Sequence, residues 1–259
     1  MGKARLWLLF LGLGALSAPT WAAPLPLHVA VASNFHAPLK AVQSSLEAQL
    51  GQPLRFSAGS SGTLYAQILQ GAPFDLLLAA DTARPQALLA AGQALQDSYR
   101  VYAHGRLVLL HPGRQASEPL QDWLGAQAAG RLAMANPRHA PYGQAAQSLL
   151  EGWDLWDQWQ TRVVLGENVA QSFHFVRSGH AQWGLVALSQ LRLAQRQGLE
   201  GLEHSLIPTA EHPPIAQAGV VLRRSLQPQA AQRVLLLLGQ PPIREQLQSD
   251  GYLIPESLH

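Results

Sequence analysis

Apolar and polar positions along this chain follow two periods in turn. Short runs that are apolar, or that alternate every second residue, are each followed by a stretch with the 3.6-residue period of an amphipathic helix. Such alternation from end to end predicts an α/β protein. The predicted strands are 27–31, 54–57, 75–79, 107–111, 132–135, 163–165, 183–187, 204–207 and 218–222. Helix-like stretches between them include 37–50, 63–70, 85–91, 143–150, 170–178 and 230–249. Several carry start or stop signals: Gly71-Ala72-Pro73 ends the helix before it, and Asp81 is placed to cap the helix that opens at Arg84-Pro85.

No repeat of solenoid period and no low-complexity linker interrupts the pattern. Pro112-Gly113-Arg114-Gln115-Ala116-Ser117 and His212-Pro213-Pro214 are the expected places for the chain to pass between lobes. The expected division is one lobe of 23–104 with 216–259 and a second of 105–215, with a cleft between them that captures ligand by hinge closure.

The first residues do not fit the α/β alternation. Lys3 and Arg5 precede an almost unbroken apolar run from Leu6 to Leu16, and Thr20-Trp21-Ala22 offers small residues before Ala23. This is the layout of an export signal, here 1–22. The apolar run is shorter than the roughly 20 residues of a membrane-spanning helix, and so is 234–238. Removing Lys3 and Arg5 from the 18 basic residues leaves them balanced against the 16 acidic ones. A formally neutral mature chain offers no basic face to nucleic acid or to an anionic membrane, so net charge does not attract its ligand. With no cysteine, disulfides, thiolate catalysis and cysteine metal sites are all excluded. The ten histidines are scattered, without a His-Glu-x-x-His or comparable metal-ligand set.

Candidate chemistry lies in the turns. Ala32-Ser33-Asn34-Phe35 and Gly59-Ser60-Ser61-Gly62-Thr63 each leave a strand-like run and enter a helix-like one, with small hydroxyl residues beside unpartnered helical N–H groups. Either turn alone reads as a helix cap; two at the carboxyl ends of adjacent strands point to an anion site with neutral donors. A third turn, 134–144, holds Pro137, Arg138, His139, Pro141 and Tyr142, and either sends the Tyr142 hydroxyl into the cleft or is a rigid loop with a packing tyrosine. A fourth, Gly166-Glu167-Asn168-Val169, places an orphan N–H at Val169. Trp153, Trp156 and Trp159 recur every third residue as a packing stripe, Asp75 and Asp81 orient turns, and Arg177 is expected to pair with Glu167 or another carboxylate.

In this order and spacing, VAVASNF at 29–35, GSSGTLYAQI at 59–68, GAPFDLLLAAD at 71–81, LAMANPRHAPYGQAA at 132–146, GENVAQ at 166–171 and WGLVALS at 183–189 resemble the periplasmic molybdate-binding proteins (ModA family) of ABC importers, type II periplasmic binding proteins. The resemblance spans nearly all of the mature chain. It implies a two-lobed α/β fold, each lobe a mixed sheet flanked by helices, with the ligand cleft between lobes. It also implies a monomeric, non-enzymatic periplasmic protein that carries no cofactor, takes molybdate or tungstate as its ligand and has an inner-membrane permease as its partner.

By the same resemblance Ser33 and Ser61 donate to the oxyanion, Asn34 matches an asparagine donor of one branch, and Val169 matches a backbone N–H ligand. Many members carry a ligand tyrosine where this chain has Ala187, and Tyr142 stands where another branch places its own. The matched positions include no Asp or Glu. Phosphate, which keeps a proton near neutral pH, would therefore lack an acceptor, whereas molybdate, tungstate and sulfate need donors only. Two alternatives stay open at this point: sulfate or another tetrahedral oxyanion as ligand, and a serine hydrolase with Ser33 or Ser61 as nucleophile and His36 or His139 as base.

Overall fold

The computed structural model describes residues 25–113 and 118–255; the predicted export signal at 1–22 lies outside them, as do 114–117 and 256–259. In chain order β1 (Leu27–Ala32) leads into α1 (Ser33–Ala41) and α2 (Gln43–Leu50), β2 (Leu54–Gly59) into α3 (Ser61–Leu69), and β3 (Leu76–Leu78) into α4 (Ala83–Ala90) and β4 (Arg100–Gly105). A second set follows: β5 (Leu107–His111), α5 (Leu120–Gly125), β6 (Leu132–Ala135), α6 (Pro141–Gly152), α7 (Trp156–Trp159), β7 (Val163–Gly166), α8 (Val169–Arg177), β8 (Trp183–Ala187), α9 (Leu188–Arg196) and β9 (Glu203–Leu206). The chain then returns through β10 (Ile215–Val221), α10 (Pro228–Leu237) and α11 (Ile243–Ser249).

These strands form two mixed sheets of the same design. The first has the order β2-β1-β3-β10-β4 and the second β7-β6-β8-β5-β9. Each has three parallel strands, followed by one that runs antiparallel to both its neighbours: β10 between β3 and β4, β5 between β8 and β9. The chain crosses between sheets at Arg106 and again between β9 and β10. The first crossing therefore precedes the Pro112–Gly113 turn, which lies at the far end of β5, because β4 is a strand of the first sheet that runs almost directly into β5. The periodicity hides β4: Arg100, His104 and Gly105 make it look like a connector, although Tyr102 and Ala103 are fully buried.

Both faces of the first sheet are covered. Val29, Val31 and Leu76 face Phe35, Leu39 and Leu235 on one side, while Ala30 and Leu77 face Leu64, Ile68 and Leu88 on the other. This is the two-residue period of a strand buried on both faces. The second sheet builds its own core from Leu107–Leu110, Leu132–Ala135 and Leu185–Ala187 against α6, α8 and α9. Trp159 is fully buried there, edge-on to Trp183, and Trp153 is buried beside it, so the tryptophan stripe is core.

Two predicted helices are divided. The stretch 37–50 breaks at Val42 into α1 and α2, and 230–249 breaks between α10 and α11, where Gly239 and Pro241-Pro242 stop the ladder. No described helix is long and apolar enough to cross a membrane.

Candidate functional site

The topology brings four helix N-termini to one place. In each lobe two parallel strands end at the cleft and hand over to a helix: β1 to α1 and β2 to α3 in the first, β6 to α6 and β7 to α8 in the second. A cavity lies where they meet, and Ser33, Asn34, Ser61, Tyr142 and Val169 all line it. The cavity is small: its empty volume is ≈ 190 Å³, space open to solvent included. Its lining includes no charged side chain. The electrostatic character comes instead from four positive helix ends and their unpaired N–H groups.

In the first lobe, α1 starts without a capping side chain: its N-cap is Ala32, and Ser33 is already helical. The Ser33 hydroxyl therefore does not serve as a cap, and the first N–H groups of α1 are left for another acceptor. Asn34 is almost fully buried, and its side chain is spent inside the protein. Nδ2 donates to Gln217 Oε1 and to the Tyr252 hydroxyl, both at 3.0 Å. What Asn34 offers the cavity is thus its backbone N–H. Pro38 lies inside α1 and has no N–H with which to close the ladder onto the Asn34 carbonyl. That freed carbonyl accepts from the Tyr252 hydroxyl at 2.9 Å and from Ser189 Oγ at 3.2 Å.

At α3 the capping role falls to Ser60 and not to its neighbour Ser61, and both line the cavity. Ser60 is the N-cap and accepts from the Thr63 N–H at 3.2 Å. Ser61, the first helical residue, is fully buried and accepts from the Ala80 N–H at 2.8 Å, which aims its own proton away from Ala80.

In the second lobe, Pro141 opens α6 where a missing N–H costs nothing, and Tyr142 follows with only 2% exposure. Its hydroxyl has no well-formed hydrogen bond among the described residues. Burial pushes its pKa well above the usual tyrosine value, against the smaller opposing influence of donors from Gln217, the Arg106 backbone and Asn34. The phenol is therefore a protonated donor. At α8, Asn168 Oδ1 accepts from the Ala170 and Gln171 N–H groups at 3.0 and 3.2 Å, leaving the Val169 N–H unpaired. Ala187, where the resemblance expects a tyrosine, is fully buried at the end of β8 and has no hydroxyl to contribute.

The lobes are drawn together over this cavity. The Gly62 N–H, in α3, donates to the His139 carbonyl of the opposite lobe at 2.9 Å. A Cβ on Gly62 would sit 2.9 Å from that oxygen and 3.0 Å from His139 Cα, so only glycine permits the approach. Further along the interface, Ser189 at the start of α9 reaches Asn34 and Tyr252, and Arg196 pairs with the buried Asp250.

The remaining sequence candidates lie outside the cavity. Asp75 accepts from the His28 N–H and the Ser225 hydroxyl, and Asp81 caps the Arg84 N–H at 2.8 Å while pairing with the Arg84 guanidinium. Arg177 does not pair with Glu167; its guanidinium lies over the Phe173 ring. His36 packs edge-on to Phe56, with its pKa lowered by burial and by Lys40, and His139 is exposed. Among the described residues neither histidine hydrogen-bonds Ser33 or Ser61, so no nucleophile–base pair is assembled. Gln217 and Tyr252, which hold Asn34, carry no local motif that marks them.

Residues 27–253 match the family model described as bacterial extracellular solute-binding protein. The chain is 36% identical over 242 residues to the molybdate-binding protein ModA of Azotobacter vinelandii, covering 93% of this chain and 94% of that one. It is 33% identical over 228 residues to ModA of Rhodobacter capsulatus, covering 86% of each. The solved structure of the Azotobacter vinelandii periplasmic molybdate-binding protein superposes with a TM-score of 0.82 at 31% identity, covering 89% of this chain and all of that one.

Proposed function

The chain belongs to the bacterial extracellular solute-binding protein family, in its ModA branch, and from that premise we propose that its cleft captures molybdate, and tungstate with it, for delivery to an ABC importer. It is a binding protein and not an enzyme. The observation that carries the reading is the composition of the cavity wall: hydroxyls and backbone N–H groups from four helix N-termini, with no carboxylate and no cation. Ser33 and Ser61 supply hydroxyls from the first lobe, with the Asn34 N–H beside them. Tyr142 and the Val169 N–H supply donors from the second, and Tyr142 takes the place of the tyrosine absent at Ala187.

Each donor hydrogen bond to a charged oxygen is worth roughly 1.5–3 kcal/mol. Neutral donors also spare the open cleft the cost of desolvating a lysine or arginine as the lobes close. A tetrahedral dianion matches such a wall, whereas hydrogen phosphate would bring a proton with no acceptor to receive it. On this reading the mature protein, released from the export signal predicted at 1–22, is a periplasmic monomer that meets the membrane permease.

The test is calorimetric titration of the mature chain with molybdate, tungstate, sulfate and phosphate. Saturable one-to-one binding of molybdate and tungstate with no response to phosphate is the expected result. Absence of binding by both molybdate and tungstate overturns the reading, and tighter binding of sulfate reassigns the ligand.

A further inference from the structure

The orientation of one buried amide governs what the Tyr142 hydroxyl can do. Gln217, in β10, is fully buried, and its Oε1 accepts from Asn34 Nδ2 at 3.0 Å and from the Tyr102 hydroxyl at 3.1 Å. An amide oxygen held by two donors turns its nitrogen to the opposite side. That Nε2 is a donor only, and it has no partner among the described residues. The Tyr142 hydroxyl is another buried polar group without one among the described residues.

Both face the same point. A Cβ on Gly105 would collide with the Tyr142 hydroxyl and lie 2.8 Å from Gln217 Nε2, so the glycine at the end of β4 is what lets the amide and the phenol approach. Buried donors and acceptors pair where geometry allows. A phenol oxygen that accepts from Nε2–H has its in-plane acceptor position occupied, and its own O–H must then point elsewhere. Tyr142 lines the cavity, and an anion held there would accept that proton.

We propose that Gln217 is a specificity-determining positioning residue: by donating to Tyr142 Oη it commits the Tyr142 hydroxyl to donate into the cavity, so that the site selects fully deprotonated tetrahedral dianions over those that carry a proton. The proposal rests on the reading that Tyr142 contacts the anion. Without Gln217 the phenol keeps only the Arg106 backbone and Asn34 as neighbouring donors and is freer to turn and accept a proton from hydrogen phosphate; with it, that role is closed. The relay runs Asn34 to Gln217 to Tyr142 to anion, joining α1 of the first lobe to α6 of the second. Asn34 thereby contributes twice, through its backbone at the cavity and through its side chain behind it.

A double-mutant cycle tests this, with affinity for molybdate and for phosphate measured by calorimetry on Gln217→Met, Tyr142→Phe and the double variant. Gln217→Met is expected to weaken molybdate binding by about tenfold and to narrow the molybdate-to-phosphate ratio. In the Tyr142→Phe background the same change is expected to alter affinity by less than about twofold, since the group it positions is gone. A full loss that persists in that background, or an unchanged ratio, overturns the proposal. Unchanged molybdate affinity in Tyr142→Phe alone overturns the underlying site reading instead, and with it this one. Should Gln217→Met not fold, Gln217→Glu serves: its carboxylate only accepts, so it draws the Tyr142 proton back from the cavity. Molybdate affinity retained by that variant contradicts the proposal, and molybdate affinity lost with phosphate binding gained supports it.

Discussion

Replacing Tyr142 with phenylalanine removes one oxygen and leaves the ring packing intact. Its two consequences are read by separate measurements. In the ligand-free protein the hydroxyl is buried at 2% exposure and makes no well-formed hydrogen bond. Deleting it removes a buried hydroxyl that costs about 1–3 kcal/mol when unpartnered, but also the acceptor proposed for Gln217 Nε2, so the melting temperature is expected to stay nearly unchanged. In the bound protein the same hydroxyl donates to a dianion, a charge-assisted bond worth about 1.5–3 kcal/mol, which corresponds to roughly 10- to 150-fold in affinity. Calorimetry with molybdate reads the second effect, and a melting curve of the ligand-free variant reads the first. A core tyrosine with no ligand role gives another pattern: unchanged affinity, or a fall in ligand-free stability that accounts for the weaker binding. Either result refutes the assignment of Tyr142 to the site.

Gly62→Ala puts a methyl group against the His139 backbone across the cleft; it is expected to weaken molybdate binding at least tenfold, to leave the ligand-free melting temperature nearly unchanged, and to hold the protein more open in small-angle X-ray scattering with ligand. Ser61→Ala removes both a cavity donor and the acceptor of the buried Ala80 N–H, so affinity and ligand-free stability should fall together, the latter by about 1–3 kcal/mol in a denaturant titration. Because burial holds the Tyr142 pKa above its ordinary value of 10.0, the phenol keeps its proton as pH rises, and molybdate affinity should stay flat from pH 7 to 10; a tenfold loss centred below pH 10 would contradict this.

Much of this site was legible in the chain because its parts are local. A strand that ends in Ala32 and a helix that begins at Ser33 are adjacent in sequence, and Gly59 and Ser61 or Gly166 and Val169 lie within three residues of each other, so each turn announces its own donors. The partners behind them are not local. Gln217 lies 183 residues from Asn34 and Tyr252 lies 218 away, and they arrive only because β10 returns from the second lobe to insert between β3 and β4. Periodicity leaves Gln217 as one polar residue just before the strand predicted at 218–222. The signal for Tyr252 and Ser189 was indirect: a proline at position 38, inside a helix, frees a carbonyl four residues earlier, and a buried free carbonyl must be met by something. What meets it depends on the tertiary fold. The same limit applies to Asn34: the sequence does not say whether its side chain or its backbone donates, and only its contacts show that the side-chain Nδ2 is occupied.

The central claim is that four helix N-termini, two from each lobe, hold a molybdate dianion by neutral donors alone. The most direct measurement is a crystal structure of the mature protein with molybdate, with anomalous data collected above and below the molybdenum absorption edge. The account predicts a single strong edge-dependent peak in the cavity between α1, α3, α6 and α8, with Ser33, Ser61, Tyr142 and the N–H groups of Asn34 and Val169 within hydrogen-bond reach of its oxygens. A peak elsewhere, or one whose oxygens are met by an arginine, lysine or carboxylate, would contradict it.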